Sequence, residues 1–229
     1  MSEVRARRFD PIVVSPLSTV VAEYVPDVAA EVSYQSEAAL EREFIGQLES
    51  QAYVYLPIRS EADLVANLRA ELERLNSIVF SDAEWNQFFR DRIAGANDGI
   101  VEKTVRIQED PVQLLKRDDG STKNITLVDK KNIHNNSLQV INQYAVGRDD
   151  GARFDNRYDV TVLVNGLPMV HVELKRRGVA LREAFDQIDR YQRDSFWAGS
   201  GLFEYVQLFV ISNGTHQVLF EYDAPPTPG

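Results

Sequence analysis

The chain has 229 residues, no cysteine and a formal net charge of −10. Hydrophobic residues make up 44% of it and charged residues 26%, which is typical of a globular protein with a sizeable core. The lack of cysteine excludes a disulfide scaffold, a cysteine-ligated zinc site and a thiol nucleophile. No apolar stretch is long enough to span a bilayer, and no signal-like apolar segment follows the N-terminus. We therefore expect a soluble, cytoplasmic protein without membrane partners.

Acidic residues dominate the chain but are unevenly distributed. Between Arg148 and Arg193, nine basic residues stand against eight acidic ones, so this segment is nearly neutral and the remainder is strongly acidic. Contacts to nucleic-acid phosphates need lysine and arginine, which argues against nucleic-acid binding over the whole surface. Any chemistry on a phosphate is expected in the near-neutral segment.

The first half of the chain is predicted to be mainly helical. Residues 1–30 carry three prolines among short valine runs and predict an extended N-terminal arm. Beyond the arm, apolar residues recur at helical spacing. The predicted elements are a helix capped by Ser36, a strand over 51–58, a leucine-striped helix over 61–76 and a helix that starts with a capping box at Ser81.

The second half changes to the shorter period of β-strands. Predicted strands cover 124–129, 137–146, 158–164, 169–175 and 205–211, and a helix covers 180–195. That helix is long enough to connect two parallel strands. The order of elements predicts an α/β fold with a mixed central sheet flanked by helices. One domain is expected over 31–221, and the proline-rich residues 222–229 are expected to be a linker or the end of a cloned fragment.

Two strands of the second half carry an acidic pair and a lysine. Asp159 lies near the start of one strand, and Glu173-Leu174-Lys175 ends the next, so that Glu173 and Lys175 share a face. Two carboxylates bind a hard cation such as Mg²⁺, which lowers the pKa of a bound water. A lysine beside them can orient that water. This spacing also occurs on solvated strand faces, but both acids here lie within apolar runs, where an unpartnered carboxylate is costly.

The register of the hairpin decides whether the two acids meet. A regular two-residue loop of Asn165 and Gly166 pairs Asp159 with Val172, which puts it on the face opposite Glu173 and excludes the metal site. A three-residue loop over 165–167, or a bulge, pairs Asp159 with Glu173 instead. We therefore expect an odd-length loop or a bulge.

The order and spacing of several short motifs resemble the N-terminal nuclease domain of type I restriction enzyme R (HsdR) subunits. The resemblance covers most of residues 33–220. The segments that carry it are 34–41, 127–132, 157–168, 172–178, 183–191 and 208–215. Each segment is weak evidence alone, but their order and spacing together are highly specific.

The resemblance implies a restriction-endonuclease-like core of the PD-(D/E)xK type, in its RecB-like branch. Asp159, Glu173 and Lys175 take the motif positions, with Mg²⁺ held by the two acids, and Gln187 and Tyr191 take those of the family's QxxxY motif. Tyr158 stands where the motif name has proline. Further residues have two readings each. Glu37 or Glu41 joins the metal site or forms a solvated helix face, His171 is a metal ligand or a neighbour of the site, and Arg176 and Arg177 contact DNA or solvent.

The activity implied by the resemblance is Mg²⁺-dependent cleavage of double-stranded DNA by an endonuclease domain. In that family, cleavage follows ATP-driven translocation by helicase-like motor domains of the same subunit, and methylation and specificity subunits complete the complex. The chain has no Gly-Lys dipeptide and hence no Walker A loop, so ATP would be bound only by the full-length subunit. Two alternatives are a non-cleaving coupling or docking module of the same complex and a free-standing RecB-like exonuclease.

Overall fold

The computed structural model describes residues 14–15, 18–24, 36–147, 150–152, 155–176, 186–188, 190–191, 194–213 and 217–222. Its centre is an eight-stranded mixed sheet, and a separate pair of strands lies beside it. The strands are β1 (Val14–Ser15), β2 (Ser18–Tyr24), β3 (Val54–Tyr55), β4 (Val112–Lys116), β5 (Thr122–Thr126), β6 (Leu138–Val146), β7 (Asn156–Val164), β8 (Leu167–Leu174), β9 (Leu208–Ser212) and β10 (Gln217–Tyr222). The order in the main sheet is β1-β2-β10-β9-β8-β7-β6-β3, and β4 pairs with β5.

The described helices are α1 (Glu37–Ser50), α2 (Glu61–Asn76), α3 (Asp82–Phe88) and α4 (Ile100–Gln108). Serine caps start the first three, because each hydroxyl accepts from an N–H three residues on. The capping box predicted at Ser81 is present, and α3 runs on into a π-helical turn over Phe89–Ile93. The predicted starts of all three helices are therefore confirmed.

Helices cover both faces of the main sheet. On one face, α1 packs through Ile45 against Val140, Val160 and Val172. On the other, α2 and α3 contribute the leucine stripe and two aromatic side chains to a larger core. This arrangement confirms a mixed α/β fold with a restriction-endonuclease-like core. Within the described residues, no helix combines the length and apolarity needed to cross a membrane.

The β7–β8 hairpin combines a tight turn with a bulge. Asn165 and Gly166 form a two-residue turn in which both φ angles are positive, 50° and 83°, and Val164 pairs with Leu167. The expectation of an odd-length loop is therefore wrong. The register shifts immediately afterwards, because Met169 is an extra residue that lets Val162 pair with Val170. The predicted bulge is confirmed, and the ladder is not the regular one that would have excluded the site.

Several other elements depart from the sequence-based expectations. The predicted strand over 51–58 shortens to β3, and the strand predicted over 124–129 becomes β5 of the separate sheet. The sequence-based elements also lacked α4, which starts after Gly99 as its N-cap. The extended arm contains β2, which pairs with β10.

The parallel pairing of β8 with β9 confirms the predicted crossover, although only 186–188, 190–191 and 194 of the connecting helix are described as helical. The domain limits 1–30, 31–221 and 222–229 remain a prediction.

The Asn165–Gly166 turn packs closely on α2, which gives a testable consequence. A Cβ on Gly166 would lie 2.6 Å from the Leu68 Cα, and its φ of +83° disfavours any other residue. Gly166→Ala should therefore lower the free energy of unfolding by about 2 kcal/mol or more. Gly120→Ala is the matched control, because Gly120 has φ +82° and nothing within 4 Å of the added Cβ. Equal losses in chemical denaturation of the two variants would contradict the close packing.

Candidate active site

The bulge brings the two predicted acids together at one end of the hairpin. Val160 pairs with Val172, so the next residues along the two strands, Asp159 and Glu173, are neighbours. Asp159 Oδ2 accepts a hydrogen bond of 2.9 Å from the backbone N–H of Leu174. Glu173 is fully buried, whereas Asp159 is partly accessible. The carboxylate pair is therefore present in the geometry that the register argument required.

A chain of hydrogen bonds ties Glu173 to the helical segment above it. Lys175 Nζ donates to Glu173 Oε1 at 2.9 Å and to Gln187 Oε1 at 2.7 Å. Gln187 Nε2 donates to Tyr191 Oη, and that hydroxyl donates to the Arg157 carbonyl at 2.8 Å. All five residues predicted for the site, Asp159, Glu173, Lys175, Gln187 and Tyr191, thus lie together. Their catalytic roles stay predictions.

The two neighbouring carboxylates and their burial shift the pKa values of the site. Burial, followed by the charge of Glu173, raises the pKa of Asp159 to about 7, against which the Leu174 N–H and Lys175 act. Burial and the same Glu173 charge raise the pKa of Tyr191 to about 12, so its hydroxyl stays protonated and able to donate. Perturbation by burial plus a specific charged neighbour is characteristic of functional sites.

The two helix glutamates contact residues just after β8 and in the middle of β6. Glu37 Oε1 accepts from the backbone N–H of Arg176 at 3.1 Å. Glu41 accepts from the side-chain amides of Asn142 and Gln143 on β6. Sequence reasoning missed both amides, since nothing in the apolar pattern of β6 distinguishes them. Pairing β6 with β7 in register with the acids would have placed them beside Asp159.

His171 lies in the aromatic core beside Glu173 and is not exposed to solvent. It is fully buried, and the rings of Tyr158, Tyr191, Phe196 and Phe209 surround it at centroid distances of 5.4–6.4 Å. Its Nε2 is 3.5 Å from Glu173 Oε2. Its position beside Glu173 agrees with the shared strand face, and a role as a metal ligand stays a prediction.

The donor set suits a hard divalent cation. Glu173 Oε2 is buried and makes no hydrogen bond to the described atoms, although His171 Nε2 lies 3.5 Å away, and a buried carboxylate oxygen beside a second carboxylate is a natural cation ligand. Across the described residues, no three His, Asp or Glu side chains converge in a metal-holding group. Mg²⁺ commonly uses one or two protein carboxylates and keeps several waters, so the pair of Asp159 and Glu173 fits it.

Of the two arginines predicted to contact DNA, the structure describes only Arg176. Arg176 follows Lys175 and is exposed at the end of β8, which leaves its side chain accessible to a ligand. Arg177 lies outside the described residues. Contact of either side chain with phosphate remains a prediction.

Replacing Asp159 should stabilise the fold at high pH. The folded chain keeps a proton on Asp159 up to about pH 7, whereas the unfolded chain loses it near the ordinary aspartate pKa of 3.8. Stability therefore falls as pH rises through this window. Asp159→Asn keeps an acceptor for the Leu174 N–H and removes the charge, so its melting temperature should exceed the wild-type value by about 2–4 °C or more at pH 8. The difference should shrink at pH 4.

The exposed Asp186 provides a matched control for that experiment. Asp186→Asn removes a carboxylate close to the same site in sequence but outside the buried pair, and it should leave melting unchanged at both pH values. A pH-independent effect of Asp159→Asn would contradict the proposed repulsion between the buried carboxylates.

Comparison with known proteins identifies the family. The family model described as type I restriction enzyme R protein N terminus matches residues 34–227. The EcoprrI endonuclease subunit of a type I restriction enzyme from Escherichia coli is 48% identical over 206 residues, which are 90% of this chain and 64% of that protein. The SsaAORF53P endonuclease subunit from Staphylococcus saprophyticus is 41% identical over 79% of this chain, and the SauMSSORF170P endonuclease subunit from Staphylococcus aureus 39% over 82%. The chain spans only 19% and 20% of these two staphylococcal relatives. The chain belongs to the family of type I restriction enzyme R protein N-terminal domains.

Proposed function

We propose that this chain is the nuclease module of a type I restriction enzyme R subunit and hydrolyses phosphodiester bonds of double-stranded DNA with Mg²⁺. The observation that carries the proposal is the meeting of Asp159 and Glu173 beside the ammonium group of Lys175. Membership of the R-subunit family and the naming of its relatives as endonuclease subunits support the same activity.

Asp159 and Glu173 would hold the metal ion. When bound, Mg²⁺ supplies Lewis-acid polarisation of a phosphoryl oxygen and lowers the pKa of a coordinated water. Glu173 would contribute the buried oxygen that makes no hydrogen bond to the described atoms, and Asp159 would contribute from the more accessible side. The hydrogen bond from Leu174 fixes the Asp159 carboxylate without using both of its oxygens.

Lys175 supplies the positive charge of the site. Its ammonium group lies against Glu173 and is held from the other side by Gln187, so its direction is fixed before substrate arrives. A preorganised cation of this kind stabilises negative charge that develops on a phosphate and orients an attacking water. Tyr191 holds Gln187 and is itself anchored on the Arg157 carbonyl, which makes the QxxxY pair a support for Lys175.

DNA would approach over the exposed end of β8. Arg176 is exposed there and directly follows Lys175, a position from which a guanidinium can contact a phosphate without reading sequence. We extend the same role to Arg177 from its neighbouring position in the sequence. Both contacts would position the backbone for cleavage and would not select a site.

The wider activity would depend on parts that this chain does not contain. Its curated relatives are longer, and the chain itself has no Walker A loop. We therefore assign ATP-driven translocation to helicase-like motor domains of the full-length subunit. Site choice and modification would belong to specificity and methylation subunits of the same complex.

Removal of the Lys175 charge tests the proposed chemistry. In the assembled restriction enzyme, Lys175→Met should lower the DNA cleavage rate by about 10²-fold or more, as expected for loss of a preorganised transition-state charge. ATP hydrolysis and complex assembly should stay intact. Lys116→Met is the control, because Lys116 is exposed on β4, outside the site. Normal cleavage by Lys175→Met would contradict the proposal.

Calorimetric titration of Mn²⁺ into the isolated chain tests the carboxylate pair separately. Saturable binding is expected in the wild type and should be lost in Glu173→Ala, because one of the two ligands is gone. Binding that survives in Glu173→Ala would place the cation elsewhere. No binding by either protein would favour the non-cleaving docking module, and end-dependent degradation by the chain alone without ATP would favour the exonuclease.

A further inference from the structure

Gln143 has an unusual backbone conformation inside a strand. It lies within β6 and has φ +52°, in the left-handed region that residues other than glycine rarely adopt. Its neighbours are regularly paired, Asn142 with Val160 and Tyr144 with Tyr158. Disfavoured conformations of this kind persist where the surroundings impose them, and they cluster at functional sites.

At Gln143 the side chains of β6 change from one face of the sheet to the other. In a regular strand, residues two apart share a face. Here Tyr144 packs in the core beneath α2, whereas the Asn142 amide reaches Glu41 of α1, on the other face of the sheet. Adjacent residues would normally point to opposite faces. Asn142 and Gln143 can therefore bind the same carboxylate only because the chain twists between them.

Glu41 is held through both of its oxygens. Gln143 Nε2 donates to Oε2 at 2.6 Å, and Asn142 Nδ2 donates to Oε1. Asn142 is itself fixed, because its Oδ1 accepts from Tyr55 Oη at 2.9 Å. The carboxylate of Glu41 thus has one fixed position at the surface of the sheet.

That position lies next to the catalytic pair. The pairing of the residues on either side places Gln143 opposite Asp159 in the β6–β7 ladder. Gln143 therefore holds the Glu41 carboxylate from the position on β6 that faces Asp159.

We propose that Gln143 is a positioning residue, which holds Glu41 beside Asp159 and thereby strengthens the attraction of the site for a divalent cation. The inference rests on the proposed metal-dependent function. It assigns Gln143 no contact with the reacting atoms. Its effect is carried by the Glu41 carboxylate, and outer hydrogen-bond partners of this kind typically change metal affinity by 10- to 100-fold.

The test is calorimetric titration of Mn²⁺ into the chain and two Gln143 variants. Gln143→Met keeps the side-chain volume but lacks the amide, and it should weaken binding about tenfold. Gln143→Gly also lacks the amide but relieves the positive φ. It should weaken binding to the same degree while its thermal stability is at least that of Gln143→Met. If Gln143 had only a structural role, the loss of Mn²⁺ affinity in the two variants would instead parallel their loss of thermal stability.

A double-mutant cycle with Glu41→Gln identifies the route of the effect. In the Glu41→Gln background, Gln143→Met should cause no further loss of Mn²⁺ affinity. Unchanged affinity in both single Gln143 variants, or an equal loss in the Glu41→Gln background, would overturn the inference. If the wild type binds Mn²⁺ and Glu173→Ala does not, the proposed function stands even when this inference fails. Absence of Mn²⁺ binding by the wild type would contradict both the proposed metal-dependent function and this inference.

Discussion

The structure depends on keeping two carboxylates side by side in a largely buried place. Asp159 and Glu173 repel each other, and burial removes the water that would screen them. The Leu174 N–H and the Lys175 ammonium group offset part of that cost. The remainder must come from the apolar cores on the two faces of the sheet, which hold β7 and β8 in fixed register. The fold therefore maintains an arrangement that the two side chains themselves oppose.

A local irregularity in β8 sets that register, and a second one lies in the neighbouring strand β6. The extra residue at Met169 shifts β8 by one position, which brings Glu173 opposite Asp159. The left-handed conformation of Gln143 rotates β6 beside the same aspartate. The tight turn at Gly166 anchors the far end of the hairpin against α2 and prevents the strands from slipping back. The position of the acids thus follows from departures from regular strand geometry.

Sequence reasoning reached much of this arrangement because the governing signals are local. Alternation along β8 predicts that Glu173 and Lys175 share a face, and helical spacing predicts that Gln187 and Tyr191 meet. The requirement that Asp159 face Glu173 predicts the bulge, although not its position at Met169. Gln143 could not be found in the same way, because its conformation is imposed by contacts from α1 and β7 that are distant in sequence. The strands β1, β2 and β10 at the edge of the main sheet were missed for the same reason.

The acidity of the chain also has a different meaning once the site is located. On the whole surface, negative charge opposes binding of a polyanion. At the site, however, Asp159 and Glu173 lie side by side at a position that a divalent cation would neutralise, and Lys175 partly neutralises it in the protein alone. Negative charge concentrated at that position favours a cation, and the cation in turn makes the position favourable for phosphate. An excess of carboxylates is therefore compatible with a DNA substrate where those carboxylates are the ones that hold the metal.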